Sequence, residues 1–253
     1  MKLRVLGSGT SELRRERSSP AYLVEAGGKY FLLDLGQGAL RRLMQAGVEP
    51  SSLSAVLISH HHLDHMSDLF ALLFALRYDP VMKENARLSL VAHRAFFSAL
   101  DEVAAVFGDW LRPPGQALTR IPLEPGEEAD LDGVRVLTAP AAHIATSLAF
   151  RLEAGGQSLV YLGDSEYSPE LARLARGADL LLSDCAGTDE SPKPGHLYPA
   201  ACGRLAAEAG VKTLLLSHFH RAVDPQAAIS SAQNWFSGRV LAARDHLEIV
   251  VGG

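Results

Sequence analysis

The stretch Ala55-Val56-Leu57-Ile58-Ser59-His60-His61-His62-Leu63-Asp64-His65 decides the fold, because it joins a short apolar run directly to a cluster of histidines and a carboxylate. The apolar run is typical of a buried strand, so the cluster lies on one short loop. Imidazoles and carboxylates are the usual protein ligands of zinc and related divalent ions. Alternation in extended backbone directs His60 and His62 to the same side, while Asp64 and His65 follow the turn into a helix. One loop can therefore supply ligands to two adjacent metal ions, and a merely solvated loop is the weaker interpretation.

One loop cannot complete two coordination spheres, so further ligands have to come from elsewhere in the chain. Polar residues that directly follow apolar strands tend to gather at one edge of a sheet, where sites commonly lie. Singly, each such residue is an ordinary loop residue, but jointly they can supply the missing ligands. The candidates are His143 after the predicted strand Val134 to Thr138, Asp164 after Ser158 to Leu162, and His218 after Thr213 to Leu216.

The remaining pattern predicts an α/β fold with two sheets. Paired glycines at Gly27-Gly28 and Gly155-Gly156 indicate two hairpins. The sequence also predicts a strand over Tyr30 to Leu35 and a buried helix over Ser67 to Tyr78, which Pro80 closes. Hairpins with interspersed helices occur roughly twice along the chain, which favours two packed sheets with helices outside. At 253 residues, one domain spanning 1–253 is expected.

Composition gives no support to several classes of protein. Hydrophobic residues make up 47% and charged residues 21%, and the net charge of -5 gives no general reason to expect nucleic-acid binding. No run approaches the ~18 apolar residues of a membrane span. The N-terminal residues are typical of a first strand and not of a signal peptide, so a cytoplasmic protein without a membrane partner is expected. Cys185 and Cys202 are too few for a disulfide framework and are predicted to be small buried hydrophobic residues.

The motif His60-x-His62-x-Asp64-His65, followed in order by the three later candidates, resembles the signature of the metallo-β-lactamase superfamily over nearly the whole chain. That resemblance implies an αββα four-layer sandwich of two mixed β-sheets flanked by helices. It also implies that His60, His62 and His143 hold one metal ion, that Asp64, His65 and His218 hold the other, and that Asp164 bridges both. A hydroxide between two such ions is available near neutral pH, and Asp64 would orient it.

Within the superfamily, the chain is most similar to phosphodiesterases of the ribonuclease Z type. The glycine loop Gly7-Ser8-Gly9 and the segment Gly195-His196-Leu197 resemble motifs of that group. The second of these implies that His196 is a general acid that protonates the leaving oxygen, although a solvent-exposed loop residue is the alternative.

Three departures argue against transfer of the tRNA-processing activity. Only 20 residues lie between His143 and Asp164, too few for the arm with which tRNA-processing members grip their substrate. Tyr161 stands where ribonuclease Z carries an acidic partner for its histidine. Leu197 and His220 stand where the resemblance favours hydroxyl residues.

The resulting hypothesis is a dinuclear metal-dependent hydrolase that acts on a small or nucleotide-like phosphodiester. Zinc is expected first, with manganese or iron as alternatives. A thioesterase or lactonase would use the same site, while a β-lactamase, a di-iron oxidoreductase and a non-catalytic metal-binding protein are favoured less. tRNA is not expected as a partner because the arm is absent, and a homodimer is an open expectation.

Other residues receive weaker predictions. His61 is expected to point away from the metals and His93 and His246 to be structural, while His220 is a candidate for contact with substrate. Phe107 and Trp110 are predicted to pack in the core more readily than to line a pocket. The loop carrying Arg14, Arg15 and Arg17 is a hypothetical steering surface for an anionic substrate.

Overall fold

Fourteen strands and seven helices make up the computed structural model, which describes residues 1–253. The strands are β1 (Lys2–Gly7), β2 (Ala21–Ala26), β3 (Lys29–Leu33), β4 (Leu53–Leu57), β5 (Leu88–His93), β6 (Leu118–Leu123), β7 (Glu128–Leu131), β8 (Val134–Pro140), β9 (Leu148–Ala154), β10 (Gln157–Tyr161), β11 (Leu180–Asp184), β12 (Thr213–Ser217), β13 (Arg239–Ala242) and β14 (Glu248–Val250). The helices are α1 (Ala39–Gln45), α2 (Leu63–Tyr78), α3 (Pro80–Asn85), α4 (Arg94–Phe107), α5 (Pro169–Ala175), α6 (Pro199–Ala209) and α7 (Pro225–Gln233). Short 3₁₀ turns lie at Pro50–Ser52 and Gly108–Leu111.

The strands form two seven-stranded mixed sheets with related topology. The first has the order β14-β1-β2-β3-β4-β5-β6 and the second the order β13-β12-β11-β10-β9-β8-β7. In each sheet, strands paired in antiparallel fashion give way to strands paired in parallel, from β3 to β6 and from β10 to β13. Both predicted glycine pairs form two-residue hairpin turns, with Ala26 opposite Lys29 and Ala154 opposite Gln157.

Apolar residues fill three layers because side chains of successive strand residues point to opposite faces. On β3, Phe31 and Leu33 lie in the core between the sheets, whereas Leu32 packs under the helices α1 to α4. On β11, Leu182 lies in the central core and Leu181 packs under α5 to α7. The predicted αββα sandwich is thereby confirmed.

Several predicted boundaries are wrong in instructive ways. Helix α2 begins at Leu63, so Asp64 and His65 lie in its first turn. The predicted end of α2 at Tyr78 is confirmed, but Pro80 also begins helix α3, where Asp79 accepts hydrogen bonds from the backbone of Val81 and Met82 and proline suits the first helical position. Strand β3 ends at Leu33, since Asp34 adopts a left-handed backbone with φ 57°.

Two strands were also not predicted. β7 is only four residues long and has one buried residue, Leu131, and β13 is a short edge strand. Such strands carry little hydrophobic signal.

The fold brings the carboxyl ends of several strands together at one edge of the sandwich. Parallel strands point their carboxyl ends the same way, so the residues that follow β3, β4, β10 and β12 meet where the two sheets face each other. The ligand loop 59–62 follows β4, and the loop that carries His143 follows β8.

Candidate metal centre

Three imidazole nitrogens converge on one point. Nδ1 of His62 lies 3.0 Å from Nε2 of His60 and 3.0 Å from Nε2 of His143. A single proton on one of these nitrogens can satisfy only one of the two contacts. Three nitrogens bound to one zinc ion at ~2.0–2.1 Å lie roughly 3.3 Å apart in tetrahedral geometry, so the arrangement is close to a coordination sphere.

A second group lies beside the first. Nε2 of His218 is 3.5 Å from Oδ2 of Asp64, and Nε2 of His65 is 3.7 Å from the same oxygen. The Asp164 carboxylate connects the two groups: it lies 3.2 Å from His65 and 3.4 Å from His218, and 3.9 Å from Nε2 of His60. The residues predicted as ligands are therefore brought together, with Asp164 between the two halves.

The buried polar atoms of this centre fit a pair of cations. Nε2 of His65, Oδ1 of Asp164 and both ring nitrogens of His218 are enclosed without a hydrogen-bond partner. Each such atom costs about 1–3 kcal/mol when it is left unsatisfied. Within each of the two groups the donor atoms lie within 4.8 Å of one another, and nitrogen and carboxylate donors suit divalent ions. The assignment of individual ligands stays a prediction.

The carboxylate of Asp34 holds the ligand loop in place by hydrogen bonds. This fully buried carboxylate accepts hydrogen bonds from the backbone and hydroxyl of Ser59, both at 2.7 Å, from Nδ1 of His65 at 2.6 Å, and from the hydroxyl of Tyr161. Because the Ser59 hydroxyl donates to Asp34, it accepts from Nδ1 of His60 at 3.0 Å. In both histidines Nδ1 carries the proton, so Nε2 is left to face the metal position.

His143 is held in the same tautomer by a different partner. Its Nδ1 donates to the backbone oxygen of Gly195 at 2.9 Å, which leaves Nε2 for the metal position. Gly195 has a φ of 79°, and an added Cβ would meet the His143 ring at 2.7 Å, so glycine is required there.

The protonation states of the proposed ligands fit metal binding, and that of His65 implies that a metal ion would compete with a proton. Burial lowers the pKa of His60 well below its usual value and also lowers the pKa of His143, so both imidazoles are neutral at pH 7. Burial opposes ionisation of Asp64, but the nearby His218 imidazole, 3.5 Å away, and the charge of His65 hold the pKa of Asp64 below its usual value. For His65, burial is outweighed by the carboxylates of Asp164 and Asp34, which raise its pKa well above the usual value. A metal ion at Nε2 of His65 would therefore displace a proton.

His196 lies at the rim of the centre. Its ring is 4.9 Å from the ring of His143 and 5.5 Å from that of His218, centroid to centroid. Nδ1 contacts Oδ2 of Asp184 at 3.0 Å. The imidazole is thus half-buried beside the metal position, which disagrees with the alternative of a free loop residue.

Comparison with known proteins decides the family. The model of the beta-lactamase superfamily domain matches residues 29–219. The chain belongs to the metallo-β-lactamase superfamily. The ribonuclease Z of Mycobacterium marinum is 30% identical, and the match covers 97% of this chain and 96% of that protein. Among solved structures, the metallo-β-lactamase fold protein YhfI from Bacillus subtilis is 25% identical with a TM-score of 0.86, covering 98% of this chain and 99% of YhfI. The short form of human tRNase Z is similar in fold, at 19% identity, a TM-score of 0.77 and full coverage of both chains.

Membership of the metallo-β-lactamase superfamily, together with these relatives, makes the chain a metal-dependent hydrolase, as the sequence predicts. Its histidine and aspartate clusters suit divalent metals. No helix combines the length and the apolar character that crossing a bilayer requires.

Three further histidines singled out by the sequence contact partners outside the proposed ligand set. His61 is turned toward Thr146, with 3.2 Å between Nδ1 and the hydroxyl. His93 is structural as predicted, since its Nδ1 accepts from the backbone of Ala95 at the start of α4. His220 pairs with Glu12 at 3.2 Å and lies near His196, so its access to substrate stays a prediction.

Other expectations about the surface and core are partly wrong. Phe107 and Trp110 do not pack in the core, because each is 58% exposed. Arg17 is not free to steer a substrate, because it donates to Ser8 and to the backbone of Ala243 and lies over the ring of Phe219. Cys185 and Cys202 are buried, as predicted.

Sequence reasoning missed two carboxylates of the site. Asp34 follows the apolar run of β3 in the same way that Asp164 follows β10, but the predicted strand was extended over it. Asp184 is the last residue of β11 and follows the apolar run Leu180 to Leu182 closely. The polar-residue-after-strand signal would have found both residues.

Proposed function

We propose that the chain hydrolyses a small or nucleotide-like phosphodiester with the help of two divalent ions, zinc first. The observation that carries the proposal is the convergence of the predicted ligands beside His196, whose Nδ1 is held by a buried carboxylate. The proposed ligands are His60, His62 and His143 for one ion, Asp64, His65 and His218 for the other, and Asp164 for both. Bound ions of this kind lower the pKa of water and offset charge that develops on the phosphoryl oxygens.

The chain's own residues orient the attack and assist departure. Asp64 is ionised and partly exposed, so its carboxylate can accept a hydrogen bond from the attacking water and direct it. His196 lies on the rim, where its imidazolium can give a proton to the leaving oxygen as the phosphorus–oxygen bond breaks. Burial lowers the pKa of His196, which makes the protonated imidazole a stronger acid.

The short connection between His143 and Asp164 supports a small substrate over tRNA. β9 and β10 form a plain hairpin closed by Gly155 and Gly156, so no arm extends from this position. The alignment with the M. marinum ribonuclease Z spans 278 positions against the 253 residues of this chain, so that relative contains segments that this chain lacks.

The test compares metal content with turnover. Metal per chain is measured by mass spectrometry, and bis(p-nitrophenyl) phosphate, a thioester and a lactone are assayed in parallel. We expect two ions per chain and phosphodiester turnover that His62→Ala abolishes, while His61→Ala, on the same loop but turned toward Thr146, retains both. Turnover of the thioester or the lactone alone would replace the phosphodiesterase with an acyl hydrolase, and a chain that binds no metal would overturn both.

We also infer that a second copy of the chain covers the outer face of α2, α3, α4 and the adjoining 3₁₀ turn. Seven of the twelve exposed large apolar side chains lie on these elements, and the ring of Phe74 contacts those of Tyr78 and Trp110. The three contacting rings alone expose an area on the order of several hundred Å², a size of apolar patch that often marks an interaction site, and a stable dimer buries ~800 Å² per partner. In sedimentation velocity we expect a dimer that Trp110→Glu dissociates and that Trp235→Glu, on the opposite side of the sandwich, leaves intact. A monomeric wild type would contradict this inference.

A further inference from the structure

We propose that an apolar pocket between α2 and α4 binds a phenyl-sized apolar group of the substrate, and this inference rests on the proposed function. The pocket has a volume of about 150 Å³, and the ligand loop 59–62 forms part of its rim. Apart from that loop, every residue that lines it is hydrophobic. The walls are formed mainly by six side chains: Leu63, Met66 and Phe70 of α2, and Phe96, Leu100 and Val103 of α4.

The topology of the first sheet places this pocket beside the metal centre. Strands β4 and β5 are parallel neighbours, and α2 and α4 each follow one of them. Both helices therefore begin at the edge of the sheet where the carboxyl ends of the strands lie, which is the edge that carries the proposed ligands. The lining residues belong to the N-terminal parts of the two helices, so the pocket lies at the same edge.

Each helix presents one apolar stripe to the pocket. On α2 the stripe runs from Leu63 through Met66 to Phe70, at the three- and four-residue spacing of a single helix face. On α4 the stripe runs from Phe96 to Val103 at the same kind of spacing. Met66 and Phe96 are buried, Phe70 and Val103 are partly buried, and Leu63 is exposed. The pocket therefore has a closed floor and a mouth beside Leu63.

Leu63 connects the pocket to the metal centre. It is the first residue of α2 and stands between the proposed ligands His62 and Asp64. The first turn of a helix favours polar and acidic residues, yet this leucine side chain is 68% exposed. An exposed leucine at this position adds little to the core. It does give a substrate that is held at the metals an apolar surface that continues into the pocket.

The size and the lining of the pocket select its occupant. An apolar cavity of ~150 Å³ accommodates a benzene ring. A nucleobase would lose its hydrogen bonds to water in this site, because the two apolar stripes offer no polar side chain in exchange. A phenyl ring, or a branched alkyl group of similar size, loses no hydrogen bond and gains from the removal of its surface from water. The proposed substrate is therefore a phosphodiester with one small apolar ester group.

The pocket is separate from the aromatic rings at the other end of the same helices. Phe74 and Tyr78 lie in the last turns of α2, and Trp110 lies in the 3₁₀ turn that follows α4. At 1.5 Å per residue, Leu63 is ~16 Å from Phe74 along the helix axis. A second copy of the chain seated on those rings and a substrate group in the pocket therefore use opposite ends of the two helices.

The test measures binding to the zinc-loaded protein by isothermal titration calorimetry. Benzylphosphonate and methylphosphonate carry the same anionic group and differ by one phenyl ring. We expect benzylphosphonate to bind about 10–100-fold more tightly, the effect of burying one ring in an apolar site. Val103→Phe should fill the pocket and reduce this ratio to less than about threefold. Val106→Phe, the same substitution at an exposed position of α4 outside the pocket, should retain the ratio.

A spectroscopic measurement on the wild type decides the proposal even if Val103→Phe does not fold. Benzyl alcohol, which has no phosphoryl group, should shift the methyl signals of Met66 and Val103 in ¹H–¹³C spectra of the protein. The signal of Met44, exposed on α1, should stay in place.

The outcomes separate the pocket from the proposed function. If neither phosphonate bound the zinc-loaded protein, the proposed function would lose support, while the shifts caused by benzyl alcohol would still decide the pocket. Equal affinities of the wild type for the two phosphonates would overturn the pocket. So would an undiminished preference in Val103→Phe, or a Met66 signal that benzyl alcohol leaves unchanged.

Discussion

Replacement of Asp34 by asparagine tests whether one buried carboxylate organises the metal centre. The asparagine would keep the shape of the side chain but turn one acceptor oxygen into a donor. In the position of Oδ2, the new NH₂ would oppose three donors, those of Ser59, His65 and Tyr161. In the position of Oδ1, it would oppose only the Ser59 backbone, so this orientation is the less costly one.

The size of the effect follows from that orientation. Two buried donors, the asparagine NH₂ and the Ser59 N–H, would face each other without an acceptor, at about 1–3 kcal/mol each. The metal-free protein should therefore lose roughly 2–6 kcal/mol of unfolding free energy. His65 would keep a neutral acceptor but lose the charge that orients it, and losses of this kind reduce metal affinity about 10–100-fold.

The assay combines urea unfolding of chelator-treated protein with zinc titration against a competing chelator. Asp179→Asn is the matched control, because Asp179 also accepts a backbone hydrogen bond from Ser158 at 2.8 Å but lies far from the metals. The control should lose stability and keep its zinc affinity. If Asp34→Asn retained wild-type stability and affinity, or if both variants lost zinc equally, the Asp34 network would not be what positions the ligands.

Further predictions concern the packing of Gly36 against the ligand loop, the pH dependence of stability that Asp179 contributes, and the arginines Arg15 and Arg17. Gly36→Ala should reduce metal content in mass spectrometry, because the added Cβ would lie 2.0 Å from the backbone oxygen of Asp64 and push the ligand loop away. For Asp179, burial is outweighed by an ion pair and hydrogen bonds that hold its pKa below the usual value. Its contribution to stability is therefore present above the unfolded pKa of ~4 and lost as pH falls through the folded value, so Asp179→Asn should flatten the decline in urea stability between about pH 5 and pH 2. Arg17→Ala should lower thermal stability by its lost hydrogen bonds, about 1–3 kcal/mol, whereas Arg15→Ala should change only the Michaelis constant if that loop steers an anionic substrate.

The sequence predicts the centre well where ligand chemistry and strand ends coincide. The ligand loop follows β4 directly, and Asp164 and His218 follow β10 and β12, so an apolar run that ends in a polar residue was enough to find them. The two glycine hairpins were predictable for a similar reason, because a two-residue turn with positive φ favours glycine strongly.

The features that sequence reasoning missed depend on contacts between distant segments. Asp34 is adjacent in sequence to apolar residues, and only the folded chain brings it under Ser59 and His65. Trp110 is apolar, yet the 3₁₀ turn that carries it lies on the outer surface beside Phe74. Burial is decided by how elements pack, which periodicity over a few residues does not determine.

The arrangement of the two sheets explains how the metal centre and the turn between β9 and β10 can vary separately. In both sheets, the carboxyl ends of the parallel strands lie at the edge that carries the metal centre. The first sheet contributes Asp34 and His60 there, and the second contributes Asp164, Asp184 and His218. All of these sit at the ends of rigid strands, where a displacement would disturb the cores on both faces. The hairpin turn between β9 and β10 has no such constraint, since an added Cβ on Gly155 or Gly156 would meet nothing within 4 Å. A segment inserted there would therefore leave every proposed ligand in place. The length of this turn can change without disturbing the metal centre.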